Sequence, residues 1–160
     1  MRSIGSLVTP KRLIGEATVT ASPSSVTIDR GSTNNNLYEA IELAMYVGAG
    51  GITFTSTNYI ALKLEDSDDN STFTAVTSSS SVLQYTTNAN ITFSQSPDSN
   101  GFVRLIASAK ASADTDPFSV GYVGGKRYLR VTIVFGGTHS TGTNVGLWAV
   151  LGLPQSLPAA

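Results

Sequence analysis

Hydrophobic and polar residues alternate with a period of two along much of this chain. The pattern is clearest from Arg127 to Phe135, where Leu129, Val131, Ile133 and Phe135 fall on one side and Tyr128, Arg130 and Thr132 on the other. That alternation marks a half-buried strand, and its β-branched and aromatic centre suits a position inside a sheet. A second short strand is predicted just upstream, from Phe118 to Val123. Between them Gly124-Gly125 offers the positive φ angles that a two-residue hairpin turn requires. The segment therefore reads as a β-hairpin.

The same period recurs elsewhere. Ile41, Leu43, Met45 and Val47 face one way while Glu42, Ala44 and Tyr46 face the other. The run from Leu37 also contains good helix formers, but its strict alternation and its end in Gly48-Ala49-Gly50-Gly51 favour a strand. Ile60, Leu62 and Leu64 alternate with Ala61, Lys63 and Glu65 to predict a strand over Tyr59–Glu65. Shorter strands are predicted at Ala17–Ala21, Val26–Asp29, Ile52–Thr55, Phe73–Val76, Phe102–Ala107 and Asn144–Leu151, with weak ones within Val82–Phe93. Ser22–Ser25, Asp66–Ser71 and Ser94–Gly101 read as turns. Thr77–Ser81 reads as a mobile low-complexity loop, and Gly31–Asn36, Lys110–Pro117 and Gly136–Thr143 as further loops.

Eight to ten short strands with no helix predict an all-β protein: an antiparallel β-sandwich, jelly-roll-like. Residues 17–153 would form the sandwich. Residues 1–16 read as an extended arm with Ile4, Leu7 and Leu13 among its apolar anchors, or as a frayed terminus. Residues 154–160 read as a tail, the two prolines of the last nine residues opposing regular structure.

Composition sharpens this picture in three ways. At 160 residues the chain suffices for one ordinary domain with a core of its own. Charged residues are 13% and the net charge is −1, so no basic field exists to hold nucleic acid or an anionic membrane. There is no cysteine, which removes disulfides, thiolate chemistry and cysteine-based zinc sites. No apolar run approaches the ~18 residues of a membrane span, and the first residues lack the apolar core of a signal peptide. The expectation is a soluble protein made in the cytoplasm.

Motifs for chemistry are sparse. Gly121–Arg127 resembles a phosphate loop but has the wrong spacing, lacks the following Ser or Thr, and leads into a strand. Asp66, Asp68 and Asn70 open like a calcium loop, yet Ser71 and Thr77 stand where an EF-hand needs Gly and Glu. His139, the single histidine, lies in a glycine-rich loop and is expected to be exposed and structural. Glu42 and Glu65 sit on polar strand faces and could act as a carboxylate pair only if brought together. No catalytic residue, metal site or cofactor is assigned. Trp148 belongs either to the core or to a partner contact. Tyr122, Lys126, Arg127, Tyr128 and Arg130 form either a contact patch or cross-strand pairs on a solvent face.

Three segments together carry a resemblance: Tyr59–Asp69 with Phe73–Val76, Val120–Val131 with its Gly-Tyr-Val-Gly-Gly-Lys-Arg-Tyr centre, and Val145–Pro154. Over roughly Leu37 to Pro154 the chain resembles capsid cement, or decoration, proteins of tailed bacteriophages. The resemblance implies a non-enzymatic protein on the outer capsid surface of the virion. It implies the major capsid protein as partner and self-association as a dimer or trimer, with no nucleic acid, membrane or cofactor involved. The candidate interface is then Ile4, Leu7, Leu13, Tyr122, Lys126, Arg127, Tyr128, Arg130 and Trp148. A head–tail connector or vertex protein, and a carbohydrate-binding sandwich, are the alternatives.

Overall fold

The computed structural model describes residues 8–31, 38–48, 53–84, 97–106 and 118–154. Among the described residues, ten strands and one 3₁₀ turn (Ser79–Ser81) follow in order: β1 (Val8–Val19), β2 (Val26–Asp29), β3 (Tyr38–Val47), β4 (Tyr59–Ser67), β5 (Thr74–Ala75), β6 (Val82–Gln84), β7 (Phe102–Ile106), β8 (Phe118–Tyr122), β9 (Tyr128–Gly136) and β10 (Thr143–Pro154). They form two antiparallel sheets. Sheet A has the order β1-β10-β3-β8-β6. Sheet B has the order β2-β9-β4-β5, with β7 also paired to β4.

Leaving aside the short strands β5 and β6, the order is β1-β10-β3-β8 facing β2-β9-β4-β7. This is the strand order of a jelly roll, in which the chain passes between the sheets at almost every connection. The expected all-β sandwich is thus the observed fold. The core lies between the inner faces: Ile41, Leu43, Met45, Val47, Val120, Val145 and Leu147 from sheet A meet Ile28, Ile60, Leu62, Leu64, Leu129, Val131 and Ile133 from sheet B, all at most 1% exposed. Fully burying one such side chain contributes about 1.5–3 kcal/mol, so the alternating residues account for most of the driving force. β3 is a strand with alternate residues buried, and β9 is interior to its sheet, between β2 and β4.

Four expectations are corrected. β8 and β9 are not a hairpin, because β8 pairs with β3 and β6 in sheet A while β9 pairs with β2 and β4 in sheet B. The residues between them form an arch across the core. Neither Gly124 nor Gly125 has positive φ; among the described residues the glycines that do are Gly31, Gly101, Gly137 and Gly142. Second, residues 8–16 are not a free arm. β1 runs through residue 16 and pairs antiparallel with β10, with irregularities after Arg12 and Ile14. Third, β10 continues through Pro154, where Gly152 and Pro154 still pair with β3. An edge-like register at the end of a strand tolerates the missing proline N–H. Fourth, Thr53–Thr55 form no strand, although Phe54 is buried.

Ile4 and Leu7 lie outside the described residues, as do the expected loops at Ser32–Asn36 and Lys110–Pro117 and most of the weak strands after Gln84.

Candidate functional site

At one end of the sandwich, the arch between β8 and β9 is organised by Arg30, which follows β2. Arg30 is 5% exposed, and its guanidinium donates to four main-chain carbonyls. Nε reaches Tyr38 O at 2.8 Å, Nη1 reaches Gly124 O and Lys126 O (the latter at 2.8 Å), and Nη2 reaches Glu39 O at 2.7 Å. The guanidinium carbon also lies 5.5 Å from the centre of the Tyr122 ring. One side chain therefore ties the end of β2, the start of β3 and the arch together. Burial pulls the Arg30 pKa below its ordinary value, and the neighbouring Tyr122 and Glu39 oppose that shift.

Tyr122 completes the joint. It is fully buried, and its hydroxyl donates to Asp66 Oδ2 at 2.8 Å, linking sheet A to sheet B. Burial, then the bond to Asp66, raises its pKa well above the usual 10.0. Gly124 is required here for close approach, since a Cβ would stand 2.4 Å from the Tyr122 hydroxyl oxygen. Tyr122 is thus a core residue and not part of a surface patch.

The remaining charges of this region are paired within the chain. Arg127 Nε and Nη2 donate to the two carboxylate oxygens of Asp29 at 2.9 and 2.8 Å, and its guanidinium lies 4.8 Å from the Tyr128 ring centre. The Arg127 hydrogen bond is the main reason that the Asp29 pKa is lowered. Lys126 pairs with Asp68. On the outer face of sheet B, Glu65 accepts from Lys63 at 3.0 Å and from Arg130 at 2.9 Å, while Arg130 lies over Phe73 at 4.1 Å. Burial would raise the Glu65 pKa, but the two cations outweigh it and the net shift is downward. Glu65 and Arg130 are directly opposed in register, so these residues are cross-strand pairs on a solvent face.

The Asp66–Ser71 turn is likewise closed on itself. Asp69 Oδ1 accepts from the Thr72 and Ser71 N–H groups and from Ser67 Oγ, each at 2.8 Å. Those bonds, Thr72 first, lower its pKa strongly. Among the described residues no three His, Asp or Glu side chains gather as a metal site. Glu42 and Glu65 project from the outer faces of different sheets, so the core separates them and they cannot flank one bond.

His139 is buried, not exposed: it is 2% accessible, with Phe135 and Phe54 ring centres 4.5 and 6.5 Å away. Its Nε2 is 2.9 Å from Gly136 O, while Nδ1 has no partner. It closes the end of the sandwich opposite Arg30.

The outer face of sheet A differs. β3, β8 and β10 present Ala40, Ala44, Gly121, Gly146, Val150 and Gly152 there, with Leu83 from β6 and Val8 from β1. A depression of about 180 Å³, lined almost wholly by apolar atoms, is formed by Val8, Ala40, Glu42, Leu83, Gly121, Val123, Val150 and Gly152 with the backbone of Ile41. Leu83 and Val123, 40% and 38% exposed, are the large apolar side chains most accessible among the described residues. Trp148 is on this face and not in the core. Its half-buried indole leans back along β10 over Gly146, where a Cβ would stand 2.8 Å from Cη2. Leu13 lies on β1, partly buried against the core. Sequence reasoning missed the depression because glycine and alanine carry no signal until strands are aligned side by side.

No family model matches the chain, and no curated protein does. A solved chain from Bacillus endospore appendages, described as a novel family of disulfide-linked pili, is similar over 92% of this chain and 89% of its own, at 16% identity and TM-score 0.34. A chain of infectious bursal disease virus, Gt strain, is similar over 92% of this chain and 42% of its own, at 15% identity and TM-score 0.23. Similarity at this level carries neither fold nor function across. Having no cysteine, the present sequence also has no means of forming disulfide links.

Proposed function

We propose that this chain is a virion structural protein, a capsid cement or decoration protein of a tailed bacteriophage. It binds the outer capsid surface and strengthens contacts between major capsid proteins. The observation that carries the reading is the outer face of sheet A, a rigid surface of small and apolar residues with an apolar depression and a half-buried Trp148. Exposed apolar surface of this kind suits contact with another protein. The sequence resemblance adds the virion context, and jelly rolls serve widely as capsid building blocks, although they also serve lectins. Multivalency supplies the mechanism: weak contacts repeated over a shell resist internal pressure together.

The test is a quantitative measurement of copy number in purified particles. A cement protein is present at a level comparable with the major capsid protein. A head–tail connector or vertex protein is present in only a few copies, and absence from particles would end the virion reading. One observation favours a second reading: Trp148 lies on a sheet face, where an aromatic ring can stack on a sugar. A glycan array probed with the free protein decides that question, and no signal above background removes it.

A further inference from the structure

We infer that the outer face of sheet A is the attachment face, and that it receives an extended, mainly apolar segment of the partner protein that carries a carboxylate. This rests on the virion reading above and names the surface and the chemistry involved. Two independent features of the face define the segment. The depression beside Val8 is close to the ~150 Å³ of a cavity that takes one benzene. It is open, however, and crosses sheet A from Val8 on β1 to Leu83 on β6, so it receives the apolar side chains of a segment laid over the face and not an enclosed ligand. Leu83 and Val123 form the rim on which those side chains would lie.

The second feature is charge. Arg30, Lys63, Lys126, Arg127 and Arg130 all have partners within the chain. Lys11 and Arg12, adjacent and exposed on β1, form no hydrogen bond or ion pair with any described residue. Lys11, opposed to the inward-facing Ala149, turns to the other side and pulls through space on Asp29 of sheet B, which leaves Arg12 as the cation of this face. Arg12 is directly opposed to Trp148 and Val8 to Gly152, so both point to the outer face. Val8 and Arg12 are four residue steps apart along the strand, a distance of about 13 Å. The pairing of β1 with β10 is regular over this stretch, and the irregularities begin only after Arg12. A partner segment running alongside would thus place an apolar side chain in the depression and a carboxylate about four residues away, over Arg12. Glu42 in the depression and Glu16, which accepts from Asn144 at 3.0 Å, disfavour a like-charged segment across the rest of the face.

The experiment uses full-length protein and shells assembled from the major capsid protein encoded in the same genome, with binding read by co-sedimentation. Leu83→Asp and Arg12→Glu should each weaken binding about tenfold or more while leaving thermal melting within a few degrees. Thr27→Lys, on the exposed outer face of sheet B, should bind as the wild type does. Added salt should weaken the wild type, whereas the charge-reversed variant, repelled by the partner's carboxylate, should gain from the same screening. Should Leu83→Asp fail to fold, Arg12→Glu, altered only at an exposed position, still decides. Wild-type binding by both sheet A variants overturns the inference and leaves the cement reading standing. A dimer of the free protein that Leu83→Asp dissolves also overturns it, by making a second copy the occupant. Failure of the wild type to bind any shell removes the cement reading itself.

Discussion

On sheet B the outward side chains meet one another: Glu65 lies between Lys63 and Arg130, Arg130 covers Phe73, and Arg127 grips Asp29 at the edge. On sheet A the outward positions are mostly small or apolar, with Glu42, Tyr46, Ser119 and Asn144 among them, and the cation Arg12 is unpaired among the described residues. Both sheets bury their inner faces equally well, so the difference does not arise from the needs of the core. A surface whose charges are mutually neutralised is suited to water. A surface with exposed leucine and valine at one edge and an unpaired arginine at the other is suited to another protein. The same fold therefore carries one face that is complete and one that is not.

The most severe way to break the comparison is to separate the faces. Arg30→Ala would leave the carbonyls of Tyr38, Glu39, Gly124 and Lys126 without their shared donor. A loss of at least about 3 kcal/mol is expected from several unsatisfied buried groups, read by chemical denaturation. A loss below about 1 kcal/mol would mean that the arch is held by other means.

A smaller effect should distinguish the faces directly. Glu65→Ala removes the anion that two sheet B cations share, and is expected to cost about 1 kcal/mol of stability with no change in shell binding. Glu65 and Asp29 also set the acid limit. Their folded pKa values lie below the ordinary 4.5 and 3.8. Their stabilisation is therefore fully present above those values and is lost as the pH falls through the lower folded ones. Unfolding followed from pH 6 to pH 2 should show the decline beginning near pH 4.5 in the wild type and a shallower decline in Glu65→Ala. Tyr122 has the opposite sign: its raised pKa contributes stability below pH 10 that is lost as the pH rises further.

The smallest effect sharpens the account of sheet A. Gly146→Ala would place a methyl group 2.8 Å from Trp148 Cη2, at the far end of a side chain that can move. Stability should change by less than about 1 kcal/mol, while the emission of the single tryptophan shifts. An unchanged emission maximum would show that the indole does not rest on Gly146.

Much of this was legible in the sequence. The alternations Ile41–Val47, Ile60–Leu64 and Leu129–Ile133 identified three core strands, because the two faces of a strand repeat every second residue. Pairing was not legible. β8 and β9 are five residues apart, and local reasoning joined them, whereas the jelly roll sends them to opposite sheets. Arg30 sits in Asp29-Arg30-Gly31, which looks like a surface turn until the arch folds over it. β1 gave no clean alternation because an edge strand with irregular register need not bury alternate residues. His139 was misplaced because Phe54 and Phe135, which enclose it, lie on separate segments. Trp148 was ambiguous because both faces of β10 are apolar, and only its register against Arg12 and Ala44 assigns it.

The central claim is that sheet A, and not sheet B, meets the partner. Because Trp148 is the only tryptophan, replacing it by 5-hydroxytryptophan, which is excited apart from the tryptophans of the shell, makes acrylamide quenching report on that face alone. The account predicts efficient quenching in the free protein and clear protection once the protein is bound to shells. Equal quenching in both states, with binding confirmed, would contradict it.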